Sequence, residues 1–535
     1  MQKLQIGSAT IFRPSVYAEN IIHKRAQERL LAQFCPGVYT GTPANLALQC
    51  LYQSYEDYLN SLIPDIASRD AAEFLLFQYD EAAKILHGKG IPSGDRLTLW
   101  RSIEPNFRRA IKHLVELICI RGSTENPSVS KEESLAAMEA VLVCAEQMAN
   151  LAEGSGRFHS IFPGEYKLTV LPAGHSKIYE VEMVGPHQGF DIRLFNRVER
   201  DRAARSKFVG MPPFDLHPDT HGPYLDAAFE KAHGASYRQF LSLLHKLIDG
   251  AHPAKGAFPT LFINRQEVLR VLRPSGLSEQ SLSIMLDGFT VDPEKMTTEV
   301  RRLWNPKQEN RALWRGFFLF PHPSGAHLMF SREMARENYI QLVNRVCYKR
   351  LPKEWVTPET SIALGNLSAA AGQWFEDVVR KNLHEVNITG GRFRRKIGQG
   401  SLEVQIPNEV GEIDFLGFDP RNRYLILIEA KMSFTGVEAR FWRDDLDEFA
   451  YRERSYANQF RKKIAWVQKE RVRIQKALGY SDIAAIAPAM LTLYPCIARE
   501  FISDFPCVSI TEFRLDFQMS SSWPYPQILR PDPLH

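Results

Sequence analysis

A chain of 535 residues with 44% hydrophobic and 24% charged residues has the composition of an ordinary globular protein. It is long enough for several cores, in three or four domains or fewer large ones. Its 66 Lys and Arg nearly balance 62 Asp and Glu, for a formal net charge of +4, so no global field draws a polyanion and such a partner would have to meet a local basic patch.

The N-terminal stretch MQKLQIGSATIFRPSVYAEN lacks the continuous apolar core of a signal peptide. No apolar run reaches the roughly 18 residues of a membrane span. Seven cysteines (Cys35, Cys50, Cys119, Cys144, Cys347, Cys496 and Cys507) are odd in number and show no CxxC spacing. That suits free thiols in a reducing compartment, not a disulfide frame or a cysteine-ligated zinc site. The expectation is a soluble, cytoplasmic protein with no membrane partner.

Residues 1–160 read as a helical region. SYEDYLNSLIPDIA, DAAEFLLFQYDEAAKILHGKG and NFRRAIKHLVELICIRG place apolar residues three and four apart. STENPSVSKEE is a polar loop, and SKEESLAAMEAVLVCAEQMANLAEG restarts on a Ser cap with early acids. Residues 161–350 read as a mixed α+β region. EYKLTVLP, SKIYEVEMV and FDIRLFNRV are short, β-branched and aromatic, and predict a small antiparallel sheet. VERDRAARSKF is a charged segment and MPPFDLHPDTHGP a proline-rich loop. Helices return in LDAAFEKAHGASYRQFLSLLHKLIDG, NRQEVLRVLR and REMARENYIQLVNRVCYKRL. His217, Asp219 and His221 alternate as metal ligands do on an extended chain, but an exposed loop is the plainer account. His322 and His327 are assigned to a loop. GKGIPSGD lacks the GxxxxGK[ST] order of a P-loop, which argues against an ATP-driven motor. No GxSxG points to a serine hydrolase. There is no internal repeat and no low-complexity tract.

LPKEWVTPET, residues 351–360, carries two prolines and reads as a linker. Beyond it, residues 351–535 read as a compact α/β unit. LSAAAGQWFEDVVRKNLHEV is a helix, and GRFRRKIGQ, GEIDFLGFD and RYLILIEAK are strands. VEARFWRDDLDEFAYRERSYANQFRKKIAWVQKERVRIQKAL is one long helix or two, and IAAIAPAMLTLYP and CVSITEFRLDF are further strands.

The hairpin GEIDFLGFDPRNRYLILIEAK holds the unexpected charges. DPRNR suits a type I turn. If Asp419 pairs with Tyr424 across it, Asp414 stands opposite Glu429, with Cβ atoms roughly 5 Å apart. Two carboxylates at that distance repel unless a cation or a shared proton compensates. YLILI is apolar on both faces, as a central strand is. Alternation puts Glu429 and Lys431 on the face of Leu425 and Leu427. Charged groups at the end of such a strand lie where open α/β sites form. Glu376 flanks the apolar face of the preceding helix, and Gly372 there would admit a neighbouring strand closely. Two or three carboxylates make a hard site for Mg²⁺. A lysine beside it can orient or deprotonate water, or stabilise charge on phosphate.

GEID, EAK after fourteen intervening residues, and a preceding helix with GQWFE together resemble the PD-(D/E)xK nuclease superfamily over roughly residues 360–500. The resemblance implies a restriction-endonuclease-like α/β domain, with a central mixed sheet flanked by helices. It implies Asp414 and Glu429 as metal ligands, with the Ala430 carbonyl, and Lys431 as the catalytic lysine. Glu376 would be the helical acid, reaching the metal through water or directly, and Gln459 the polar residue of the following helix. Mg²⁺, or Mn²⁺ in its place, is the implied cofactor. Ile413 stands where the superfamily's proline would precede the first Asp.

Residues 452–476 carry nine Lys and Arg against two acids, with Tyr456, Phe460 and Trp466 between them. Gln459, Arg461, Lys462 and Lys463 there, with Arg394 and Arg395 in GRFRRKIG, are the expected nucleic-acid contacts. No helix-turn-helix, RNA-recognition or zinc-finger pattern is present, and the resemblance favours DNA over RNA. The expected activity is therefore a metal-dependent endonuclease of the kind found in bacterial restriction or antiphage defence. Residues 1–350 would act as sensor, dimer contact or partner-binding region. The alternative is a nucleic-acid-binding or scaffolding protein whose nuclease-like domain is not catalytic.

Overall fold

The computed structural model describes residues 1–87, 95–121, 130–188, 217–250, 260–296, 303, 310–433, 439–480, 482–520 and 522–530. They fall into two compact units, Met1–Gln188 with residues 217–365, and the described part of Asn366–His535. The N-terminal region is helical, and the C-terminal half carries a mixed sheet among helices.

The first unit opens with a hairpin of β1 (Gln2–Ile6) and β2 (Ala9–Arg13). Helix α1 (Val16–Leu31) and strand β3 (Gly37–Thr40) follow, then the long helices α2 (Gly41–Ile66), α3 (Arg69–His87), α4 (Asp95–Arg121) and α5 (Lys131–Gly156). The Ser cap read before α5 is present. The Ser130 side chain accepts from the Glu133 amide, and the Glu133 side chain returns to the Ser130 amide. Strands β4 (Tyr166–Val170) and β5 (Tyr179–Met183) complete an antiparallel sheet in the order β3-β4-β5. Its third strand thus comes from the N-terminal region, and residues 1–160 and 161–350 share one sheet and one unit. FDIRLFNRV, VERDRAARSKF, GKGIPSG and STENPSV lie outside the described residues.

The unit continues with α6 (Pro218–His233), α7 (Tyr237–Gly250), β6 (Leu261–Asn264), α8 (Arg265–Leu272), α9 (Glu279–Phe289), β7 (Thr290–Val291), β8 (Phe317–Phe320), β9 (His327–Phe330) and α10 (Arg332–Arg345). Its second sheet has the order β6-β9-β8-β7. Three expectations are corrected here. HPDTHG is the first turn of α6, because His217 caps it and Pro218 stands where a missing N–H costs nothing. His221 is buried, with Nε2 3.2 Å from Cys347 Sγ, whereas His217 and Asp219 are exposed, so the three do not meet as ligands. His327 lies on β9, stacked on Phe262, and only His322 is in the turn. LPKEWVTPET is no free linker. Trp355 is fully buried and donates Nε1–H to the Ile284 carbonyl at 3.0 Å, and α11 (Pro358–Glu385) starts at its second proline.

No disulfide joins the seven cysteines, of which all but Cys35 are buried. Among the described residues, one helical stretch, Glu132–Ile161, is long and apolar enough to cross a membrane, and 67% of its apolar window is buried inside the protein.

The second unit is built on a mixed sheet. After α11 come β10 (Thr389–Phe393), β11 (Lys396–Ile397), β12 (Val404–Gln405), β13 (Ile413–Asp419), β14 (Tyr424–Lys431), α12 (Ala439–Leu446), α13 (Tyr456–Lys469), α14 (Arg471–Leu478), β15 (Ala485–Thr492), β16 (Cys507–Ser509) and α15 (Ile510–Ser520). The sheet order is β10-β13-β14-β15-β16, antiparallel up to β14 and parallel beyond it. β14 is therefore central, as its apolar run requires, and Asp419 does pair with Tyr424. Asp419 shapes the turn by accepting from the Arg421 amide at 3.0 Å and the Asn422 side chain at 2.7 Å. One sheet face, with Ile426, Ile428, Ala430, Ala487, Ala489 and Leu491, packs on Phe375, Val379 and Leu383 of α11 and on Phe513 and Phe517 of α15. Each Ile, Leu, Val and Phe among them contributes about 1.5–3 kcal/mol by burial. Gly390 and Gly417 face each other across β10 and β13, where a Cβ on Gly417 would lie 2.6 Å from the Thr389 carbonyl oxygen. Gly372, expected to admit a strand, faces open space instead.

Two element readings are corrected. The segment expected as one long helix or two forms three, α12, α13 and α14; it breaks at a wide turn, Asp447–Tyr451, and restarts at α13 because Ser455 accepts from the Asn458 amide. Only Cys507–Ser509 of CVSITEFRLDF is strand; the rest begins α15.

Candidate active site

Asp414 and Glu429 meet at the end of the β13–β14 hairpin. The ladder runs to Phe415 opposite Ile428, and beyond it the Ala430 amide donates to Asp414 Oδ2 at 2.9 Å. The carboxylate thus takes the place of a strand carbonyl, and that fixes it against the neighbouring strand. Lys431 lies between the two acids, with Nζ 2.7 Å from Glu429 Oε1 and 3.5 Å from Asp414 Oδ2. Lys463 of α13 holds the other oxygen of Glu429, at 2.6 Å. Two ammonium groups, not a shared proton, answer the expected repulsion.

Burial acts to lower the Lys431 pKa, but the charges of Glu429 and Asp414 overturn it and hold the ammonium above the ordinary lysine range. Lys431 is therefore held as a cation between the two carboxylates. The Tyr456 ring covers it, 5.2 Å from Nζ, and the Tyr456 hydroxyl donates to Glu448 at 2.5 Å.

Glu376 of α11 stands to one side. Arg392 of β10 approaches its Oε2 to 2.9 Å without hydrogen-bond geometry, so that shielded oxygen has no hydrogen-bond partner among the described residues. Arg392 also binds Gln373 and Glu412. Burial, then the charge of Asp414, push the Glu376 carboxyl up to about 7 against the pull of Arg392.

Among the described residues, no three His, Cys, Asp or Glu side chains gather as a ready metal cage. The donors that converge are Asp414 and Glu429, with the Ala430 backbone beside them. Among the described residues, Asp414 accepts hydrogen bonds through Oδ2 alone. The shielded Glu376 Oε2 is a further acceptor of the site with no hydrogen bond among the described residues. Hard oxygens in that number fit Mg²⁺ or Mn²⁺, which take one or two carboxylates and keep several waters. Lys431 would have to yield Glu429 Oε1.

The expected nucleic-acid residues divide. Lys462 and Arg395 are exposed, with no ion-pair partner among the described residues. Gln459 is exposed and donates to the Arg454 carbonyl at 2.8 Å. Arg394 is exposed and lies 3.3 Å from Glu412. Arg461 forks onto Asp504 at 2.8 and 2.9 Å, which occupies its guanidinium. Lys463 is the correction: it is buried on Glu429 and faces no solvent-borne phosphate. The charge count hid its place on the buried stripe Ala457, Phe460, Lys463 and Val467. A lysine on such a stripe implies a buried acid opposite. Arg392, read only as part of a basic run, likewise serves the acids Glu376 and Glu412.

Comparison of the chain with protein-family models, curated proteins and solved structures returns no match.

Proposed function

We propose that the second unit is a metal-dependent endonuclease of the PD-(D/E)xK type that hydrolyses phosphodiester bonds in DNA. The observation that carries this reading is the convergence of Asp414, Glu429 and Lys431 at the end of the central strand of a mixed sheet. Asp414, Glu429 and the Ala430 carbonyl would hold Mg²⁺ or Mn²⁺, with Glu376 through water. Bound there, the ion supplies Lewis-acid polarisation of a phosphoryl oxygen and a more acidic water. Lys431, as a fixed ammonium, stabilises negative charge developing on the phosphate. The exposed cations Lys462, Arg394 and Arg395 supply sequence-independent phosphate contacts. The first unit would control the activity through a partner protein or a second copy of the chain, as in a bacterial restriction or antiphage-defence effector.

One observation favours a second reading, a nucleic-acid-binding or scaffolding protein. Both oxygens of Glu429 are already paired with lysines, as in a purely structural network. Cleavage of supercoiled plasmid separates the two. The full-length chain should nick or linearise it with Mg²⁺ and not with EDTA. Asp414→Ala and Lys431→Ala should lose that activity by roughly a hundredfold or more while keeping the fold. Undiminished cleavage by both variants would sink the assignment. DNA retention without cleavage, unaffected by either variant, would favour the scaffold.

A further inference from the structure

Glu429 is the most buried ion of the site, and its two lysines are not equivalent. Its side chain is 1% exposed. The Lys431 side chain is 21% exposed and reaches Asp414 as well. The Lys463 side chain is 8% exposed and, among the described residues, touches no carboxylate but Glu429. Lys431 has somewhere to go: it is the more exposed of the two and lies at the strand's end beside Asp414. Lys463 has nowhere to go, since Ala457, Phe460 and Val467 bury the stripe that carries it.

The charges around the site balance without any added ion. Asp414, Glu429, Glu376 and Glu412 face Lys431, Lys463, Arg392 and Arg394, four of each sign. Glu448 is bound to Tyr456, on the far side of Lys431. A divalent cation entering such a site gains little from net charge. An anionic phosphodiester arriving with it would change that balance and give Lys431 a new partner.

We infer that Lys463 is the positioning residue of the site. It grips Glu429 Oε2, so that Glu429 presents only Oε1 and retains a resident counter-ion when Lys431 turns to the phosphate. The same ammonium keeps the free site a poor cation binder, so that metal and nucleic acid load together. This rests on the nuclease reading above.

Titration of the full-length chain with Mn²⁺ alone, followed calorimetrically, tests it apart from activity. Lys463→Met should bind Mn²⁺ at least roughly tenfold more tightly than the parent, because a like charge beside the ion is gone. Its plasmid cleavage should nevertheless fall in kcat with little change in KM, because Glu429 is no longer held. Lys463→Gln keeps a donor to Oε2 without the charge; it should match the tighter Mn²⁺ binding, recover part of kcat, and carry the test if Lys463→Met fails to fold. Lys463→Arg should rescue both properties toward the parent. Unchanged Mn²⁺ affinity in folded Lys463→Met or Lys463→Gln overturns the role of Lys463. Asp414→Asn separates that failure from the other one. Mn²⁺ binding that survives Asp414→Asn overturns the metal reading itself, whatever Lys463 does.

Discussion

Glu376 carries a cost that pH reveals. Its carboxyl is pushed from an ordinary 4.5 up to about 7, first by burial and then by the charge of Asp414. A carboxyl raised in the folded state binds more protons folded than unfolded between those two values. The stability linked to its protonation is complete below about 4.5 and is lost as pH rises through about 7. Glu376→Gln mimics the protonated form at every pH. Its melting temperature should therefore match the parent at pH 4.5 and exceed it by pH 8, with the gap opening between. Thermal melts of both proteins across that range check the sign, and parallel curves would refute it. At this scale the site was half legible. Asp414, Glu429 and Lys431 could be placed because a short turn sets the register and the strand period sets the face. Lys463 and Arg392 could not be placed by counting charge, because a buried cation and a solvated one look alike in a basic run. Only the helical stripe of Lys463 tells them apart.

Among the elements, α15 was misread for a local reason. CVSITEFRLDF carries the β-branched Val508, Ile510 and Thr511 near its start, and Cys507–Ser509 do join the sheet as β16. Ser509 then ends the strand and starts the helix. Its amide donates to Glu512 at 2.9 Å, and the Glu512 amide donates to Ser509 Oγ at 3.2 Å. That is the S-x-x-E capping box, written in the sequence as SITE, and the strand pattern before it masked the signal. Phe513 and Phe517, a helical turn apart, carry the apolar face onto the sheet. Ser455 before α13 is the same kind of signal, hidden inside apolar spacing that runs on across the break. The hairpin, by contrast, was readable, because both its turn and its alternation are local. Ser509→Ala should destabilise the protein by about 1 kcal/mol. Urea unfolding should show a lower midpoint with an unchanged slope, since the cap is lost and the buried surface is not.

Across the whole molecule, a net charge of +4 conceals extensive pairing of opposite charges. Carboxylates neutralise many of the arginines and lysines one by one, as Asp504 does Arg461 and Glu470 does Arg473. What remains on the second unit is a set of exposed cations, Lys381, Arg395, Arg452, Arg454, Lys462, Lys469, Lys476 and Arg530, with no ion-pair partner among the described residues. Composition could exclude a global field but could not say which cations survive pairing, because pairing is a property of the fold. It also could not show that β3 and β4, far apart in sequence, join in one sheet. If the surviving cations bind DNA, binding in EDTA should weaken linearly in log–log terms as KCl rises. Each phosphate contact removed should make that slope shallower by about 0.9. Arg454→Ala with Lys462→Ala should therefore flatten it by as much as about 1.8, twice the value for one contact. Lys463→Met should leave the slope as it is, because its ammonium is spent on Glu429 inside the protein. Fluorescence anisotropy with a labelled duplex at several KCl concentrations measures both. A slope that moves with Lys463 and not with Arg454 and Lys462 would put the buried and exposed cations in each other's roles.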